Sequence, residues 1–131
     1  MPRPARQIVI PGTVAYWRFD GHDNGTLFPD GLTIPDRSGN GNDHTKVTVH
    51  GSSESALRFS GDYYPGQPAQ ASLFFNGGQN PLHGAHLQTV PDAPLNRATL
   101  TSGYTFEAFF KLPANWNPAN NSWMGLLSRW G

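Results

Sequence analysis

A chain of 131 residues with 15 Gly and 12 Pro has room for one domain and one modest core, but too many breakers for a helical bundle. Lys and Arg number nine, as do Asp and Glu, so no basic field exists to draw a nucleic acid. There is no Cys for a disulfide or thiolate site, and no apolar run nears the ~20 residues that span a bilayer.

Residues 1–12 read as an N-terminal extension, with Arg3, Arg6 and only the short run Ile8-Val9-Ile10. That run is too short for a signal peptide. Residues 13–131 read as one domain. Val14 to Phe19 is rich in aromatic and β-favouring residues and predicts a strand. Residues 20–44 are polar and Gly-rich, and predict a long loop. Their Asn-Gly pairs, Asn24-Gly25 and Asn40-Gly41, favour positive φ and tight turns. Short strands are predicted at 46–50, 56–59, 71–75 and 85–90, separated by Gly, Pro and Asn. The clearest pattern lies at Tyr104 to Leu112. Tyr104, Phe106, Ala108, Phe110 and Leu112 share one face, while Thr105, Glu107 and Lys111 share the other with Phe109 as the exception. A period of two over that length predicts a half-buried strand, ended by Pro113. A further strand is predicted at 124–128. The fold class is therefore all-β and antiparallel.

The order of these pieces resembles the opening of laminin-G-like, concanavalin-A-like jelly-roll domains. Val14-Ala15-Tyr16-Trp17-Arg18-Phe19-Asp20 and Asp36-Arg37-Ser38-Gly39-Asn40-Gly41-Asn42 come first. Ala71 to Gly77, Leu87 to Asp92, Tyr104 to Lys111 and Leu126 to Gly131 follow in the family's order. The resemblance implies an antiparallel β-sandwich. It also implies an extracellular setting, because such domains are commonly attached to hydrolases in secreted bacterial proteins. The variant here is similar to ones that accompany calcineurin-like metallophosphoesterases, which implies an accessory role with no catalytic residue. Two departures stand out. The stretch 45–70 is longer than the family's usual connection. The family fold also needs more strands than this sequence supplies, so the resemblance implies an N-terminal portion.

Four site chemistries can be weighed. Calcium takes oxygens from acidic, turn-rich segments, and Asp36, Ser38 and Asn40 copy alternate ligand positions of a calcium loop, with Gly41 next. The bidentate Glu that would close such a loop is missing; Val47 stands there, so Asp20, Asp23 or Asp43 would have to complete the set. The competing reading is that these side chains cap their own turns. Carbohydrate sites stack sugars on exposed rings, and Tyr63, Tyr64, Trp116 and Trp123 lie in Gly- or Asn-rich loops that could present them. The competing reading there is rings covering the rim of the core. Glycoside hydrolysis needs two carboxylates about 5–10 Å apart. Glu107 has Thr105, Phe109 and Lys111 at the positions that share its face, so catalysis is not expected. The His83/His86 spacing is too sparse for zinc, which takes three or four ligands, and predicts solvated loop histidines. The sequence thus predicts a non-catalytic binding or accessory module. Its partner would be a glycan, with a calcium ion steadying the loops, or else an attached hydrolase domain against which it packs.

Overall fold

The computed structural model describes residues 9–49, 56–66, 69–79, 81–121 and 125–128. The strands are β1 (Thr33–Ile34), β2 (His44–Val49), β3 (Leu57–Ser60), β4 (Ser72–Phe75), β5 (Gly78–Gln79) and β6 (Leu82–Thr89). They form a four-stranded sheet, in the order β1-β2-β6-β5, and a separate pair, β3-β4. All pairings are antiparallel. The central ladder runs β2 against β6 from His44↔Thr89 to Val49↔Gly84, and Val90 N donating to Asp43 O at 2.8 Å extends it. The chain is thus all-β and antiparallel among its described residues, apart from a 3-10 turn at Pro94–Arg97 and one helical turn at Pro118–Asn121.

Phe28, Ile34, Leu57 and Phe59 form the buried core, with Trp17, Phe19, Leu32, Leu73, Ala85 and Leu87 packed around it. Both sheets contribute, since Ile34, Ala85 and Leu87 belong to the four-stranded sheet and Leu57, Phe59 and Leu73 to the pair. Burying a ring such as Phe28 or Phe59 contributes about 2–3 kcal/mol each. Their rings lie 5.3 Å apart and nearly parallel, and His22 stacks on Phe59 at 3.8 Å.

Four predicted elements differ from the structure. The long loop 20–44 is not only a loop: it carries β1 and two core residues, Phe28 and Ile34. Its residues 25–28 run beside β3. Gly25 N donates to Phe59 O, Phe59 N to Thr26 O, and Phe28 N to Leu57 O, at 2.8, 2.8 and 3.0 Å. Lys46 of β2 is drawn in as well. Its side chain is 1 % exposed, and its Nζ donates to Phe28 O at 2.6 Å and pairs with Asp30 at 2.8 Å.

Second, residues 14–19 enter no ladder. The reason lies in what faces them, a turn whose side chains occupy the positions where a strand would offer its backbone. Third, residues 104–112 are exposed throughout and pair with no strand among the described residues. Their alternation is a property of the sequence for which no sheet edge is at hand. Residues 125–128 are also exposed and outside any sheet; Met124, which began that predicted strand, lies outside the described residues. The two histidines of the His83/His86 spacing lie on β6, not in a loop. Residues three apart on a strand point to opposite faces, so that pair cannot converge on one ion.

Candidate functional site

The residues singled out in the sequence fall into two places. The first is the turn from Asp36 to Asp43. Positive φ at Gly39 (86°) and Gly41 (79°) lets the backbone fold back on itself, a conformation costly for any residue with a Cβ. Asp36, only 8 % exposed, stands at its centre. Its Oδ1 accepts from Tyr16 N at 2.9 Å and Ser38 N at 2.8 Å, and its Oδ2 accepts from Asn42 N at 3.0 Å. Its own N–H donates to Asp43 Oδ1 at 2.8 Å. Burial works to raise the Asp36 pKa, but the hydrogen bonds from Tyr16, Ser38 and Asn42 outweigh it and hold the carboxyl below its ordinary range.

Asn42 is completely buried, with each of its polar atoms engaged. Its Nδ2 donates to Val14 O at 2.9 Å, its Oδ1 accepts from Leu95 N at 2.7 Å, and its carbonyl accepts from Trp17 Nε1 at 2.7 Å. Asn40 Nδ2 and Ser38 Oγ also donate to Val14 O, at 2.9 and 3.2 Å. Tyr16 O accepts from Arg37 N at 2.6 Å. The side chains of this turn thus hold segment 13–17 as a neighbouring strand would. His44, at the start of β2, stacks on Trp17 at 3.9 Å. Burial pushes its pKa down to about 4, against the opposing pull of the Asp36 and Asp43 charges.

Four of the six proposed calcium ligands, Asp36, Ser38, Asn40 and Asp43, meet in this turn. Asp20 and Asp23 do not join its hydrogen bonds. Asp20 pairs with Arg18 at 2.7 Å, and Asp23 is exposed, its carbonyl closing a turn to Thr26 N at 3.1 Å. The donor set fits a self-capped turn better than an ion. Three of the roughly four lone-pair sites of Asp36 already take backbone N–H groups, and Asn40 and Asn42 turn their Nδ2 atoms, not oxygens, to the shared Val14 carbonyl.

The second place is an exposed aromatic pair. Tyr64 and Phe109 stack with centroids 4.6 Å apart and planes 15° from parallel, at 59 % and 62 % exposure. Tyr63, also exposed, adjoins Tyr64 in the chain. Beside them Lys111 Nζ meets Asp62 Oδ2 at 2.6 Å, and that hydrogen bond and charge hold the Asp62 carboxyl below its ordinary range. Trp116 is exposed but makes no ring contact with this pair, and Trp123 lies outside the described residues. Sequence reasoning missed Phe109, and the signal for it was the break in alternation. An aromatic residue on the polar face of a strand pattern needs a partner on that side, and Tyr64 supplies it.

Among the described residues no helix is long and apolar enough to cross a membrane. No protein-family model, no curated protein and no solved structure matches the chain.

Proposed function

We propose that this chain is a non-catalytic, extracellular recognition module of the laminin-G-like jelly-roll kind, taking a glycan on the Tyr64–Phe109 pair. The observation that carries this reading is the stack itself. Its two large rings lie nearly parallel and keep most of their surface in water, where burial in a core would be the ordinary fate of such residues. The C–H face of a sugar ring packs on such a surface, and the neighbouring Asp62 and Lys111 offer an acceptor and a donor to its hydroxyls. Among the described residues, the Lys111–Asp62 pair and the Tyr64–Phe109 stack tie this loop to segment 104–112. The self-capped Asp36 turn is the rigid support in this reading, and it needs no calcium ion to hold its shape.

A glycan array probed with the chain tests the proposal. Retained glycans should lose at least tenfold in affinity with Tyr64→Ala and Phe109→Ala, each leaving the unfolding temperature in place, because stacking contributes on the order of 1–2 kcal/mol. Binding of no glycan, or binding indifferent to both substitutions, would overturn it. One observation favours a second reading, a module that packs against an attached hydrolase domain: Tyr104, Phe106, Phe110 and Leu112 are all exposed on one side of segment 104–112. Such a module binds no sugar.

A further inference from the structure

Segment 104–112 is a strand sequence that pairs with no strand among the described residues. Among the described residues its backbone enters no ladder and makes no turn or loop hydrogen bond. Its odd positions meet its own chain, through Phe109 on Tyr64 and Lys111 on Asp62. Its even positions leave Tyr104, Phe106, Phe110 and Leu112 exposed. A row of N–H and C=O groups unpaired among the described residues, beside an apolar face, is a template for pairing with another extended chain.

We propose that the occupant is a second copy of the same segment, paired antiparallel about a two-fold axis through Phe109. The charges choose this arrangement. With Phe109 opposite its own counterpart, Glu107 faces the second copy's Lys111 and Lys111 faces the second copy's Glu107, so each Lys111 bridges its own Asp62 and the other copy's Glu107, and the two cross-strand ion pairs form together. A parallel in-register pairing would set Glu107 against Glu107 and Lys111 against Lys111. A slip of two residues in either direction loses both attractive pairs. Directly opposed opposite charges stabilise an antiparallel pair, and like charges destabilise it.

The apolar face agrees with the same register. Phe106 lies across from Leu112, and the small Ala108 lies across from the large Phe110, so volumes alternate. Pro113 lies across from Thr105. Placing the odd residues in the non-hydrogen-bonded pairs frees Pro113 from any need for an N–H. Those are also the pairs whose side chains approach most closely, which is where Glu107 and Lys111 meet. An isologous contact of this kind closes on itself and builds a dimer, not a fibre. The proposal goes beyond glycan recognition, and its test involves no sugar.

Sedimentation of the whole chain from roughly 1 μM to 1 mM spans the affinities a single strand pair can reach. The expected result is a reversible monomer–dimer equilibrium. Glu107→Lys should weaken it by roughly tenfold or more, since both ion pairs become repulsions at once. Adding Lys111→Glu together with Asp62→Lys to that variant should recover the dimer, because the reversed charges again face their opposites, Asp62's own contact included. Ala108→Pro, which removes an N–H from a hydrogen-bonded pair, should abolish it. A chain that stays monomeric throughout, a dimer indifferent to Glu107→Lys, a charge-reversed variant that fails to recover, or open-ended aggregates would each overturn the proposal.

Discussion

The turn 36–43 and the segment 104–112 invert what their sequences promise. The turn is polar and Gly-rich and carries no apolar period, yet it holds the buried Asp36 and the completely buried Asn42. The segment carries the best strand period in the chain, yet all of it is exposed. The difference is whether partners exist. The buried Asp36 and Asn42 meet groups of opposite hydrogen-bonding sense within the turn, on segment 13–17 and at Leu95, so burial costs them little. The apolar face of 104–112 meets no second surface among the described residues, so its alternation remains a demand for one. Periodicity states which face wants cover, and says nothing about who covers it.

The sharpest way to break this comparison is at Asp36. Asp36→Ala strands the N–H groups of Tyr16, Ser38 and Asn42 together and should cost about 4 kcal/mol, measured by chemical unfolding, or abolish a cooperative transition outright. A loss below about 1 kcal/mol would mean that the turn is held by other contacts.

A smaller effect comes from pH. His44 in the folded chain has a pKa of about 4, below its ordinary 6.5, so the unfolded chain takes up a proton first. Its contribution to stability is complete above pH 6.5 and is lost as the pH falls towards 4. Asp36, with a lowered pKa, loses its contribution only at more acid pH, below the ordinary carboxylate value of 3.8. The unfolding midpoint should therefore fall between pH 6.5 and 4. His44→Phe, which keeps a ring on Trp17, should flatten that slope without touching the more acid one. A slope unchanged in His44→Phe would assign the effect elsewhere.

The smallest effect is expected in the exposed segment. Phe110→Ser should change the stability of the monomer by no more than about 0.5 kcal/mol, because its ring is already in water. A loss of several kcal/mol, in dilute solution, would show that Phe110 packs inside its own chain.

Much of the fold was legible from local pattern. The strands predicted at 46–50, 56–59, 71–75 and 85–90 correspond to β2, β3, β4 and β6, shifted by at most a few residues at their ends; His50 itself lies outside the described residues. Both Asn-Gly turns carry the positive φ their glycines suggested, at 82° for Gly25 and 79° for Gly41. What could not be read was long-range. Phe28 and Ile34 are core residues inside a Gly- and Asp-rich stretch, and local composition hid them. Residues 14–17 are strand-like in composition, but their neighbour turned out to be side chains, a relation no window along the chain can display. At the aromatic site, Tyr63 and Tyr64 were legible from their loop setting. Phe109 was visible only as an anomaly, because its partner lies 45 positions away in the chain.

Hydrogen–deuterium exchange of the dilute chain tests the central contrast most directly. The amides of Tyr16, Arg37 and Asn42 donate to a carboxylate or carbonyl, and should be protected as firmly as those of β2 and β6. The amides of 104–112 should exchange as in an open chain. Fast exchange at Tyr16 and Asn42, with slow exchange along 104–112, would contradict the account.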